Sequence, residues 1–290
     1  MFLGIKKYWL SVLFLVLLVG VVFLFYLDLQ GSKPKGLTFA MLNIGQGDGL
    51  FIESPTGTQI LVDAGPPRKI LSQLSRVMSP FDRRIDGIII TNPDADHIGG
   101  FLDVLKKYKV GEVFESGTLT DTKTYQNLEA EIKKQNIPNT LARRGMRLDL
   151  GGGAVIDILF PDQDVADWTS NDGSVVAKLI YGATSVMLTG DATVKTEGLI
   201  LRENLKDALH STILKVGHHG SHSSTSPEFV KAVSPTYAII SDGKDNKYGH
   251  PHPETLDTLT KSGVKIFRTD LLGTIIMKSD GQNVTFSFRK

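Results

Sequence analysis

From residue 8 to residue 27 the chain is apolar almost without interruption, starting at Tyr8-Trp9 and meeting no charged side chain until Asp28. A helix needs roughly 20 apolar residues to cross a bilayer, whereas the apolar part of a cleaved leader is roughly 7 to 15 residues long. The run therefore reads as an uncleaved transmembrane anchor. Phe25, Leu27 and Leu29 stand where leader cleavage would want small residues, and Trp9 and Tyr26 suit the two membrane interfaces. Lys6 and Lys7 precede the span, while Lys33 and Lys35 follow it. The short basic head favours an inner N-terminus and an extracytoplasmic globular part. The expected organisation is a cytoplasmic tip and anchor over 1–29, a linker rich in Gly, Ser, Pro and Lys over 30–36, and one domain over 37–290.

Beyond the linker, short apolar or alternating runs predict strands at 37–42, 49–53, 59–62, 87–90, 154–159, 175–179, 185–188, 213–216, 237–240, 265–268, 274–277 and 284–288. Helical spacing predicts helices over 69–78, 101–108, 125–135, 195–202, 227–232 and 253–261. Twelve strands exceed a comfortable single sheet. Two sheets packed face to face with helices outside is the natural solution, an α+β architecture.

Composition narrows the chemistry only a little. A length of 290 residues allows a substantial core. A net charge of +1 neither demands nor excludes a nucleic acid, which a local patch such as Arg143, Arg144 and Arg147 could still hold. The absence of cysteine excludes disulfides and zinc-thiolate sites.

The candidate chemistry lies where predicted strands end. After the run 85–90 come Asp94-Ala95-Asp96-His97, followed by Gly99-Gly100, which lets the chain turn sharply into a helix. Further on, Leu188-Thr189-Gly190-Asp191, Gly217-His218-His219-Gly220 and Gly249-His250-Pro251-His252 each follow a strand-like run. All seven histidines except His210 fall in these loops or beside Asp96. Imidazoles and carboxylates gathered at several strand ends suit a zinc, manganese or iron centre.

In this order the motifs resemble those of the metallo-β-lactamase superfamily, and more closely the hydrolase domain at the C-terminal end of ComEC-type competence proteins. Leu42-Asn43-Ile44-Gly45-Gln46-Gly47-Asp48 is similar to that family's opening loop, and Leu61-Val62-Asp63-Ala64-Gly65 to the superfamily's first motif. The resemblance spans residues 35–290. It implies a four-layer αββα sandwich and one or two divalent metal ions, zinc or manganese. Asp96 and His97 match second-metal ligands, Asp191 the bridging carboxylate and His250 the last histidine, while Asp63 is expected to orient the ligand loops. Asn92 stands where relatives have histidine, and Asn171 lies near another first-metal histidine, so the first site is poor in imidazole. Asn43 replaces a usual aspartate. Asp94 would serve the first metal or accept a proton from water; His218 or His219 would donate a proton to the leaving oxygen, or one of them is itself a ligand.

Three functional classes follow. The favoured one is a membrane-anchored phosphodiesterase or nuclease acting on DNA outside the membrane, as the resemblance implies. The others are hydrolysis of another ester or amide, lactams included, and a non-catalytic binding domain with a degenerate first metal site. The anchor is testable on its own. The full chain should remain in the membrane after alkaline carbonate washing, and protease added to intact cells should digest the domain. Release by carbonate would refute the span, and protection from external protease would refute the orientation.

Overall fold

A computed structural model describes residues 3–31, 36–203 and 206–290. It separates into two units, Met1–Lys35 and Gly36–Lys290. The first contains α1 (Leu3–Gly31), within which Tyr8–Tyr26 is long and apolar enough to cross a membrane, with a mean hydropathy of 2.7. Every described side chain of that span is exposed. The helix continues past the expected end of the anchor into the expected linker, whose residues 32–35 lie outside those described.

The second unit is built on two sheets. One contains β1 (Leu37–Met41), β2 (Gly49–Glu53), β3 (Gln59–Ala64), β4 (Arg84–Ile90), β5 (Lys109–Glu115), β6 (Asn139–Leu141), β14 (Thr274–Ser279) and β15 (Val284–Arg289). The other contains β7 (Arg147–Gly151), β8 (Ala154–Phe160), β9 (Val176–Tyr181), β10 (Thr184–Leu188), β11 (Ile213–Lys215), β12 (Tyr237–Ile240) and β13 (Lys265–Arg268). Their spatial orders are β15-β14-β1-β2-β3-β4-β5-β6 and β13-β12-β11-β10-β9-β8-β7. In each sheet a run of strands is parallel, β3 through β6 in the first and β10 through β13 in the second.

The period of two along each strand divides its residues between cores. Phe39, Met41, Ile60 and Val62 of one sheet meet Ile156, Leu179, Val186 and Ile213 of the other in a central layer. The alternate residues Ala40, Phe51, Leu61 and Ile88 face outward onto α4 (Phe101–Lys107) and α5 (Lys123–Lys134) through Phe101, Val104, Leu128 and Ile132. On the far side Met187, Leu214 and Ile240 pack on α6 (Val194–Glu203), α8 (Pro227–Val233) and α9 (Pro253–Lys261) through Ile200, Phe229 and Leu259. These three cores make four layers, the αββα sandwich.

Strands β5, β6 and β7 were not among those expected. In Lys109-Val110-Gly111-Glu112, which opens β5, only Val110 is buried, so no apolar run marks the strand, and β6 has only three residues. β7 is an edge strand with Arg147 and Asp149 exposed. Neighbouring strands, rather than local pattern, create all three. The first helix of the domain, α2 (Ile70–Leu74), is also shorter than its apolar pattern suggested.

One half-buried carboxylate near β5 makes this packing sensitive to pH. Burial, reinforced by the nearby charge of Glu115, pushes the Glu129 carboxyl up to about 7, and its Oε1 has no hydrogen-bond partner. The folded state therefore keeps a proton that the unfolded chain loses above its ordinary carboxylate value. Stability contributed at this position falls as pH rises from that value through about 7. Replacing Glu129 by Gln should raise the melting temperature by a few degrees at pH above 7 and leave it unchanged in acid. An equal shift at both extremes in thermal unfolding of the full chain would contradict this.

Candidate metal centre

The parallel strands of both sheets deliver their C-terminal ends to one edge of the sandwich, and the chemistry-bearing side chains follow. Asp63 lies at the end of β3, and both its oxygens are engaged. Oδ1 accepts from the Thr91 backbone N–H at 2.9 Å, and Oδ2 accepts from the Thr91 hydroxyl at 2.6 Å and from His97 Nδ1 at 2.8 Å. The His97 ring is thus fixed with Nδ1 on a carboxylate and Nε2 aimed at Asp191 Oδ2, 3.0 Å away. Such a carboxylate–histidine arrangement orients an imidazole for a metal.

His97 belongs to α3 (Ala95–Ile98), which begins directly after Asp94. At Gly100 a Cβ would lie 2.2 Å from the Ala64 carbonyl oxygen. Only glycine allows the ligand turn to sit this close to β3. Gly47 plays the corresponding part in the opening loop. With φ of +119° and room for no Cβ against the Asp96 carbonyl, it brings the Asp48 backbone N–H to Asp96 O at 3.2 Å.

His218 and His219 follow β11 in left-handed conformations, with φ of 45° and 55°. Such backbone is costly for a side-chain-bearing residue and must be held by its surroundings. Here Gly217 N donates to Thr225 Oγ1 at 3.2 Å, and the buried Glu197 carboxylate accepts from the Ser226 backbone N–H at 2.9 Å. His219 Nδ1 donates to the Ser241 carbonyl at 2.9 Å, leaving Nε2 3.4 Å from Asp191 Oδ2 and 3.5 Å from Asp96 Oδ2.

Asp96, His97 and His219 therefore place donor atoms within 4.8 Å of one another, as do Asp48, Asp191 and His219, and Asp48, Asp63 and His97. The other expected site residues fall outside these three groups. Asp94 accepts from Ser170 Oγ at 2.8 Å. Asn92 accepts from the Asp94 backbone N–H at 2.9 Å and donates to Ser174 Oγ at 3.4 Å, so both ends of its amide serve the loop. Asn171 Oδ1 is buried without a partner. His250 packs edge-on against His218, with ring centres 5.5 Å apart, and its Nδ1 lies 3.4 Å from the Gln46 amide nitrogen. His218 Nε2 is 3.8 Å from Asp191 Oδ2, and its side chain is 26% exposed.

The metallo-β-lactamase superfamily model matches residues 42–241. The chain belongs to that superfamily. It is 32% identical over 266 residues to ComE operon protein 3 of Bacillus subtilis, covering 85% of this chain and 34% of that protein. To Recombination protein 2 of Haemophilus influenzae it is 29% identical over 250 residues, covering 85% of this chain and 29% of the other. The chain thus spans about a third of the length of these curated relatives. Its fold is also that of CmlA, a diiron beta-hydroxylase from Streptomyces venezuelae, at a TM-score of 0.53 and 15% identity, covering 85% of this chain and 55% of that one.

The residues of this metallo-β-lactamase domain suit one or two divalent ions. His97 Nε2 and His219 Nε2 are buried with no hydrogen-bond partner. Their field is strongly negative. Burial opposes charge on His219, but Asp191 and then Asp96 and Asp48 hold its pKa up at about 10. His97 is raised well above the ordinary imidazole value against the same cost of burial, chiefly by Asp191 and Asp63. Asp191 is held well below the usual carboxylate range by the two rings, despite its burial. Carboxylates that stabilise imidazolium so strongly attract a dication at the same atoms.

Lys215 was not anticipated as part of this centre. It is fully buried, pairs with Asp48 Oδ2, lies 3.6 Å from Asp191 Oδ1 and donates to the Gly190 carbonyl at 2.7 Å. Burial opposes its charge, yet Asp48 and then Asp191 outweigh that and raise its pKa above the ordinary lysine value. The signal in the sequence was a lone lysine within Ile213-Leu214-Lys215-Val216, an otherwise apolar strand. Removing one partner of a buried pair typically costs about 3–5 kcal/mol. Lys215→Met should destabilise the protein by about that amount in urea unfolding, and adding Asp48→Asn should restore part of the loss. Wild-type stability of the single variant would show that Lys215 does not balance these carboxylates.

Proposed function

We propose that this chain is a membrane-anchored, metal-dependent phosphodiesterase whose substrate is DNA, with the domain outside the membrane. The observation that carries the reading is the convergence of Asp96, His97, Asp191 and His219 on one point at the sheet edge. The relative named Recombination protein 2 supports DNA as the phosphodiester, and the apolar span Tyr8–Tyr26 supports the anchor. Those four residues would hold the ion, with His219 taking the place that sequence alone gave to His250. A single zinc or manganese ion is favoured, because Asn92 spends its amide within the loop and Asp94 bonds Ser170.

When bound, a divalent ion supplies Lewis acidity, neutralising charge at the attacked phosphorus and letting water ionise near neutral pH, at about 7. The chain's own groups complete the chemistry. Burial lowers the pKa of His218, so its neutral Nε2 can take a proton from water and pass it toward the leaving oxygen. His250 is pushed down to about 4 by burial and the neighbouring rings. With the Gln46 amide donating to Nδ1, its proton sits on Nε2, available to a substrate oxygen. Lys215 keeps Asp191 in place from behind.

Elemental analysis and activity of the full chain in detergent separate these roles. Alanine at Asp96, His97, Asp191 or His219 should remove the metal and the activity together, whereas His218→Ala should retain the metal and lose about a hundredfold to ten-thousandfold in rate. Chelation should abolish hydrolysis of DNA, and manganese or zinc should restore it. A folded, metal-loaded protein that cleaves no phosphodiester would point to a binding domain; one that opens only a lactam would point to amide hydrolysis.

A further inference from the structure

The rim of the centre carries an aromatic side chain that neither coordination nor proton transfer employs. Tyr248 lies between β12 and α9 and is 52% exposed. Lone exposed aromatics are common; the surroundings distinguish this one. Its ring stacks on His250, with centres 5.6 Å apart and planes 21° apart. His250 in turn lies 5.5 Å from the ring of His218 and 6.3 Å from that of His219. A continuous path of rings therefore leads from the ligand cluster out to solvent and ends at Tyr248.

Cationic groups flank this path. The Lys247 ammonium sits 5.0 Å from the centre of the Tyr248 ring, and Lys244 precedes it in the same exposed loop, with Asp245 between them as the one acidic residue. Across the opening the loop of Gln46 is joined to this one, since Gly243 N donates to Gln46 Oε1 at 3.4 Å. There the ammonium of exposed Lys69 lies so close to Gly45 that a Cβ would be 2.7 Å from it. Aromatic faces combined with lysines along a phosphate path are the means by which proteins hold single nucleic-acid strands. A paired base is already stacked on both faces within its duplex, so only an unpaired base can lie on the phenol.

We propose that Tyr248 is the platform on which an unpaired base next to the attacked phosphodiester stacks, so that the centre takes a single DNA strand rather than the interior of a duplex. The inference rests on the phosphodiesterase reading and names its substrate form. A base arriving over the ring meets the exposed Lys247, whose ammonium can pair with the adjoining phosphate.

The test is binding, measured by fluorescence anisotropy on the metal-loaded full chain in detergent micelles. The probes are a short labelled single-stranded DNA and an abasic deoxyribose-phosphate oligomer of equal length. The wild-type protein should prefer the strand that carries bases. Tyr248→Ala should weaken its binding about fivefold to a hundredfold, as loss of one stacked base does, and bring the ratio between the two probes toward one. Tyr248→Trp should keep that ratio. Equal losses on both probes, or none on either, would overturn the proposal. If the strand binds through Tyr248 but no phosphodiester is cleaved, the platform stands and the hydrolase reading falls; if DNA is cleaved while Tyr248→Ala binds both probes as the wild type does, the platform alone falls.

Discussion

The constraint that organises this domain is the gathering of Asp48, Asp63 and Asp191, all buried, around two buried imidazoles at one edge of the sandwich. Removing carboxylates from water costs several kcal/mol each unless they are paired. The chain meets that cost with specific partners. Thr91 and His97 satisfy Asp63, Lys215 is set between Asp48 and Asp191, and the two imidazoles bracket Asp191. The pairings cross from one sheet to the other, so the edge where the acids meet is also where the two halves of the sandwich are locked together.

The same pairings divide labour within the centre. Asp191 turns Oδ1 toward the Lys215 ammonium and Oδ2 toward the two rings. One oxygen is thus anchored by the protein's permanent cation, and the other is left where an ion would bind. His97 and His219 are each held through Nδ1, by a carboxylate and a backbone carbonyl respectively, which leaves Nε2 of both rings free to meet an ion. Fixed rings and strained loops of this kind are positioned before any ligand arrives, which lowers the reorganisation that binding requires.

Around this rigid floor the rim is built differently. Gln46, His250 and Tyr248 are linked by long hydrogen bonds and ring contacts rather than by buried ion pairs. Half-buried and exposed groups can adjust to a substrate at little cost, whereas the floor cannot. A division between a fixed floor and an adaptable mouth suits the polymer substrate proposed for this centre, since a reacting phosphate must be placed accurately while the neighbouring residues vary.

Much of the architecture was legible in the sequence because period-two alternation and apolar runs report burial directly. Ile60, Leu61 and Val62 reveal a strand covered on both faces, and the run from Tyr8 to Tyr26 reveals a helix without a polar side. Asp96, His97 and Asp191 could be singled out as well, since each follows a strand end beside recognisable glycines. What sequence could not decide is which groups meet across the sheets. The resemblance gave His250 as the last histidine and left His219 as proton donor or ligand; the left-handed turn after β11 brings His219 Nε2 to 3.4 Å from Asp191 Oδ2, while His250 lies beside Gln46. Lys215 is a lone charge in an apolar strand, and its counter-ion, Asp48, lies far away along the chain. Strands β5 and β6 likewise exist because β4 offers its edge, not because their own residues demand extension. Local pattern fixes which residues are buried, whereas charge compensation and pairing depend on contacts between distant segments that only the folded chain brings within reach.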